Sequence, residues 1–229
     1  MFPFSNVLSG RMICVAQTLK EHRDMQCMLR AVSLLSESDE QWVIQRNVLG
    51  KPEVWQCGAK CSHLLVSNTH DGGMHIAAAY RSTSAVGLGI DAVWLPRLRQ
   101  RGKEKRYLLK LAARIAAPRE FMHLEEKAAC ESTEQFRQRV AAHFSLKESV
   151  SKALGTGLKL GIGYGFSESI SPRQIEVIDK GLDIRLPAER GIQQCELLGQ
   201  VICWNGFMVS AVVWGTSLLC ENQPGNNVS

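Results

Sequence analysis

The 229 residues include 45% hydrophobic side chains and carry a formal net charge of +5. That is enough apolar material for one large core or two small ones, and the charge suits an acidic or polyanionic partner without requiring nucleic acid. The 8 cysteines are scattered with no paired C-x-x-C array, so they are read as reduced thiols of an intracellular protein rather than as a disulfide framework.

The first stretch, MFPFSNVLSGRMICVAQ, has no basic leader and no apolar h-region, so no secretory signal is read there. A helix is expected over residues 22–35, with Met25, Met28, Leu29, Val32 and Leu35 as its buried stripe. Residues 42–45 form a short expected strand, followed by a turn over 46–52 with Arg46 and Lys51 near its ends. Strands are expected at 63–67 and 74–80 around a polar loop at 68–73, and a third at 86–93 carries Asp91 near its end. Cys57, Cys61, His63 and His70 make a weak zinc candidate, because a Cys-x3-Cys spacing is loose for that metal.

The next segment is basic, with Arg97, Arg99, Arg101, Lys103, Lys105, Arg106, Lys110, Arg114 and Arg119 against Glu104 alone, over an apolar helical stripe that includes Leu108 and Ile115. Further helices are expected over 119–128 and 132–154. The second of these carries Leu146, Val150 and Ala153 on one face and Glu148 and Lys152 on the other, and stops at Gly155. Taken alone it fits a solvent-facing helix with a Glu–Lys pair. A carboxylate flanked by Lys147 and Lys152 also suits a metal ion holding a phosphate chain.

Strands follow at 166–170 and 175–178. Residues 197–220 contain no charged side chain and are long enough to span a bilayer. Gln200, Ser210, Thr216 and Ser217 stand against a span, and Asn205-Gly206 between β-branched runs signals a hairpin over 197–214. Both halves share an outline of helix, strand, turn and strand, which hints at a duplicated α+β unit.

Four pieces now stand in order: Arg46-x-x-Leu49-Gly50-Lys51-Pro52, Ser67-Asn68-Thr69-His70-Asp71, Gly89-Ile90-Asp91, and Phe144-x-x-Lys147-Glu148-x-x-x-Lys152-Ala153-Leu154-Gly155. Together they resemble the 4'-phosphopantetheinyl transferases. KESVSKALGTG is similar to the small holo-acyl-carrier-protein synthases, whereas the first two motifs and the length are similar to the longer, internally duplicated branch.

The resemblance implies an α+β fold of two similar subdomains, residues 1–85 and 86–229, related by a pseudo-twofold with the ligand site between them. It implies transfer of the phosphopantetheine arm of coenzyme A to a carrier-protein serine, with fatty-acid, polyketide and peptide carriers all compatible, in a cytoplasmic, pseudo-dimeric monomer. Asp91 and Glu148 would hold Mg²⁺, Glu148 would deprotonate the serine, and Lys152, helped by Lys147, would neutralise the diphosphate. Arg46, Lys51 and His70 would grip the 3'-phosphate and its neighbours, with a hydroxyl contact from Thr69. Arg97, Arg99 and Arg101 would meet the acidic helix of the carrier. Val93 departs from the longer branch, which usually has a second acid there, and so leaves two protein carboxylates for the ion. Two other classes compete: a non-catalytic module binding carrier or coenzyme A, and a nucleic-acid binder, which lacks a recognition motif or an aromatic stacking array.

Overall fold

The computed structural model describes residues 12–18, 24–36, 41–48, 50–99, 104–158, 170–178, 183–185 and 196–215. Strand β1 (Met12–Thr18) and helix α1 (Asp24–Ser36) precede a small sheet of β2 (Trp42–Arg46), β3 (Pro52–Gln56) and β4 (Ala59–Lys60). The hairpin of β5 (Leu64–Asp71) and β6 (Met74–Arg81) leads to the long strand β7 (Ala85–Trp94). After a 3-10 turn at Leu95–Leu98 come helices α2 (Glu104–Ile115), α3 (Pro118–Cys130) and α4 (Thr133–Leu154). The short pair β8 (Glu176–Ile178) and β9 (Asp183–Arg185) precedes a closing hairpin, β10 (Glu196–Trp204) and β11 (Phe207–Gly215). The architecture is α+β, as expected, and the named strands pair antiparallel throughout.

The period-two alternation of side chains along the strands sorts the core into layers. Ile76, Ala78 and Tyr80 of β6 meet Leu88 and Ile90 of β7 and Val209, Ala211 and Val213 of β11 in a core between two sheets. Those sheets have the orders β1-β6-β5 and β10-β11-β7. The intervening residues Ala77 and Ala79 turn the other way, against Cys27, Met28, Ala31 and Val32 of α1. On the far side of the second sheet, Val212 packs against Leu146, Val150 and Ala153 of α4. Helices α2 and α3 close a further cluster with the start of α4 through Leu108, Ile115, Leu124, Phe136 and Val140.

The sheets β1-β6-β5 and β10-β11-β7 are assembled by the same connections: a strand, a helix, then a hairpin whose last strand takes the centre. The first unit is β1, α1, β5, β6 and the second is β7, α4, β10, β11. Helix α4 begins at a capping box, where Ser132 Oγ accepts from Gln135 N, and ends at Gly155 in the left-handed region, φ 74°.

Several expectations need correction. The polar loop at 68–73 shrinks to Gly72 and Gly73, both at positive φ, because β5 keeps its ladder with β6 out to the Asp71↔Met74 pair. Thr69 and His70 therefore lie on a strand. β1, β3 and β4 went unread; the turn between β3 and β4 is Cys57-Gly58, which reaches positive φ without the usual Asn-Gly signal. Of the basic segment, Arg97 and Arg99 precede α2 rather than belonging to it. Most of the strand expected at 166–170 lies outside the described residues. The uncharged C-terminal run is a hairpin through Asn205-Gly206, and among the described residues no helix is long and apolar enough to cross a membrane.

Candidate active site

The site begins with an unusually close approach of α4 to β7. A Cβ on Gly89 would collide with the backbone carbonyl of Ser149, and one on Gly87 with that of Ala153. Small residues on the helix complete the seam. Ser145 Oγ donates to the Asp91 carbonyl at 3.1 Å, and Ser149 Oγ donates to the Ser210 carbonyl at 3.0 Å. Ser210 Oγ lies 2.7 Å from both serine hydroxyls, so this buried polar set is satisfied internally. α4 is consequently no surface helix: Ser145, Lys147, Ser149 and Ser151 are buried along with its apolar positions.

This packing sets the last turns of α4 beside the end of β7. Lys152 Nζ donates to Asp91 Oδ1 at 2.8 Å and to the Ile90 carbonyl at 3.0 Å. Thr69 Oγ1 donates to the same Asp91 oxygen at 2.9 Å, across the line where β5 runs beside β7. Glu148 lies one turn before Lys152. Burial first, and then the negative charge of Asp91, push its carboxyl up to about 7, with Lys152 pulling the other way. Two acids distant in sequence thus feel each other's charge. Like charges held together with hard oxygen donors fit a divalent cation, which would relieve the repulsion. Among the described residues no group of three His, Cys, Asp or Glu side chains is gathered for a metal.

Beside this pair a cleft of about 210 Å³ is lined from both units, by Arg46, Lys51 and Asn68 on one side and Ser151, Lys152 and Gly157 on the other. Lys51 Nζ donates to the Ala153 carbonyl at 3.2 Å, which Trp214 Nε1 also reaches at 2.7 Å. That carbonyl belongs to the last turn of α4, where partners from within the helix run out. Burial, then the nearby Lys60 charge, hold the Lys51 ammonium below its usual range, with Glu53 opposing. Such an ammonium gains from an incoming anion. Arg46 donates to the Gly50 carbonyl at 2.8 Å and leans over the same cleft.

Asp91, Glu148, Lys152, Lys51 and Arg46 are thus brought together around one region, while three other expected residues are placed differently. Lys147 is fully buried and donates to Glu120 and three backbone carbonyls, so it is not available to a phosphate. Its position next to Glu148 on a helix turns it inward, which a helix taken as solvent-facing conceals. Thr69 spends its hydroxyl proton on Asp91. His70 is exposed on β5, its ring 5.8 Å from that of His75. Arg97 is exposed and paired with Asp71 at 3.0 Å, Arg99 lies 4.0 Å from Glu134, and Arg101 falls outside the described residues. Cys14, Cys57, Cys130 and Cys203 are free thiols. Gly87, Ser145 and Ser149 were missed, and Gly89 was read only as part of the Gly89-Ile90-Asp91 motif; their signal is small residues two apart on a strand facing small residues four apart on a helix.

The family model for the 4'-phosphopantetheinyl transferase superfamily matches residues 87–193. The holo-[acyl-carrier-protein] synthase of Geotalea daltonii is 31% identical over 110 residues, which is 47% of this chain and 82% of that protein. The chain belongs to the 4'-phosphopantetheinyl transferase superfamily. A second superfamily relative, the holo-[acyl-carrier-protein] synthase of Koribacter versatilis, is 35% identical over 77 residues, 34% of this chain and 55% of that one. Among solved structures, the Bacillus anthracis holo-(acyl-carrier-protein) synthase in complex with coenzyme A (3',5'-ADP) aligns at a TM-score of 0.42 and 24% identity, over 59% of this chain and all (100%) of that one. The matched region contains most of β7 and all of α4, and with them Asp91, Glu148 and Lys152. Val93, two residues beyond Asp91, is buried against Leu98, Leu108 and Met208, an apolar setting that would charge heavily for a second carboxylate.

Proposed function

We propose that the chain transfers the 4'-phosphopantetheine arm of coenzyme A to a serine of an acyl or peptidyl carrier protein, releasing 3',5'-ADP. The observation that carries this is the convergence of Asp91, Glu148 and Lys152, with Lys152 also lining the cleft that holds Lys51 and Arg46. Asp91 and Glu148 would hold a Mg²⁺ ion, which when bound neutralises diphosphate charge. With two protein carboxylates, the remaining coordination would fall to phosphate oxygens and water.

The serine oxygen attacks the β-phosphorus, the bond from that phosphorus to the bridging oxygen breaks, and 3',5'-ADP takes the electron pair. Glu148 accepts the serine proton, directly or through a water. Lys152 leaves its Asp91 contact to stabilise charge on the diphosphate. Lys51 and Arg46 bind the 3'-phosphate side, with His70 at the rim, and Thr69 acts by holding Asp91. The coenzyme is shared between subdomains 1–85 and 86–229, a pseudo-twofold pair within one monomer; the repeated connectivity of the two sheets supports this. Arg97, Arg99 and Arg101 form the approach for the acidic carrier helix, acting mainly on encounter.

Incubation with coenzyme A, Mg²⁺ and a panel of apo-carriers tests the proposal, with the carrier weighed by mass spectrometry. Gain of the phosphopantetheine arm is expected with wild type and not with Glu148→Gln. Coenzyme A binding with no gain on any carrier would return the chain to the class of non-catalytic binding modules.

A further inference from the structure

Lys147 sits beside Glu148 in the chain, yet its ammonium is enclosed in the protein interior. Four oxygens surround Nζ: Glu120 Oε2 at 2.6 Å, and the carbonyls of Ile175 at 2.6 Å, Ile115 at 2.9 Å and Pro172 at 3.0 Å. An ammonium has three N–H donors and a neutral amine two, so this crowd of acceptors suits the charged form. Ile115 ends α2, where carbonyls lack helical partners, and Pro172 and Ile175 bracket the 3-10 turn before β8.

Glu120 links the node to α3 and back to α4. Its Oε2 accepts from Ala117 N at 2.9 Å, capping α3, and its Oε1 lies 2.7 Å from His143 Nδ1. His143 is one turn before Lys147, so one carboxylate grips α4 at two successive turns. A different face of the same turns is held by Ser145 and Ser149 against β7 and β11. Rotation of α4 is therefore fixed from two directions, and Glu148 lies between them in sequence.

We propose that Lys147 is a positioning residue for the transfer reaction: with Glu120 it locks the rotation of α4 so that Glu148 stays turned toward Asp91. This role presupposes the transferase activity proposed above. Calorimetry without carrier protein separates the two. Lys147→Met should weaken Mn²⁺ binding in the presence of coenzyme A by about 10–100-fold, the range seen when support for a metal ligand is lost. Metal-free coenzyme A affinity should stay within about twofold of wild type, because Lys147 touches no part of the cleft.

In turnover kcat should fall on a similar scale, about 10–100-fold, with little change in the KM for coenzyme A. Glu120→Gln keeps the side-chain volume and serves where Lys147→Met does not fold; it should show the same split more mildly. The double variant should match Lys147→Met within about twofold, since both changes break one node. A raised coenzyme A Kd with unchanged Mn²⁺ binding would make Lys147 a phosphate contact and overturn the proposal. A lowered Tm with Mn²⁺ affinity and kcat intact would reduce the node to a purely structural one and overturn it equally. A wild type that binds Mn²⁺ and coenzyme A but modifies no carrier would sink the transferase reading, and the binding data would still decide the role of Lys147.

Discussion

The two sheet-and-helix units share their connections but differ in how the helix meets the sheet. Against the first sheet, α1 packs Cys27, Met28, Ala31 and Val32 onto Ala77 and Ala79, an apolar contact of ordinary side chains. Against the second, α4 presents Ser149 and Ala153 to Gly87 and Gly89, so backbone approaches backbone, and Ser145 bonds the Asp91 carbonyl one step further on. β7 brings Asp91 to that approach and α4 brings Glu148 and Lys152, whereas β1 and α1 offer no matching acid pair. The same chain path makes a scaffold in one unit and a charged site in the other, and the difference lies in a few small residues.

The sharpest way to break the comparison is to remove either acid. Asp91→Asn or Glu148→Gln should lower carrier modification by about 10²–10³-fold or more, the scale of losing one key electrostatic group, as measured by kcat. Next is the seam itself. Gly89→Ala places a methyl against the Ser149 carbonyl. It should cost about 1–3 kcal/mol of stability in denaturant titration. Activity should drop by up to about 10²-fold, since a displacement near 1 Å suffices for that.

A smaller effect concerns pH. The Glu148 carboxyl is raised from 4.5 to about 7, so the folded state holds that proton more tightly than the unfolded one. The stability this group contributes is complete below about 4.5 and is lost as pH rises through about 7. Metal-free Glu148→Gln should therefore melt higher than wild type under mildly alkaline conditions, by roughly 2–4 °C per kcal/mol for a chain of this size. The gap should close on acidification; a gap constant with pH would contradict the raised carboxyl and its causes, burial first and then the Asp91 charge. Smallest of all, reversing Arg97 and Arg101 to glutamate should raise the carrier KM a few-fold at low salt and fade as ionic strength increases. An unchanged KM at low salt would remove these arginines from the approach.

Much of this was legible in the sequence where signals are local. The Gly155 stop ended α4, Asn205-Gly206 announced the last hairpin, and the ordered motifs around Asp91 and Glu148 pointed to their meeting. What stayed hidden depends on burial by distant elements. Lys147 looks like a partner of Glu148 until α2, α3 and the turn at Pro172 are seen to surround it. Thr69 and His70 looked like loop residues because polar β-strand ends resemble turns, and only pairing with β6 distinguishes them. β1 escaped because its apolar run is short, and β3 because it begins at Pro52, inside the stretch read as a turn.

The central claim is that Asp91 and Glu148 share a divalent ion gripping the diphosphate of coenzyme A. Calorimetric titration of Mn²⁺ into the coenzyme A complex of wild type, Asp91→Asn and Glu148→Gln tests it most directly. The account predicts a stoichiometric site in wild type that is lost or weakened at least about tenfold in each variant. Wild-type affinity retained in either variant would contradict it.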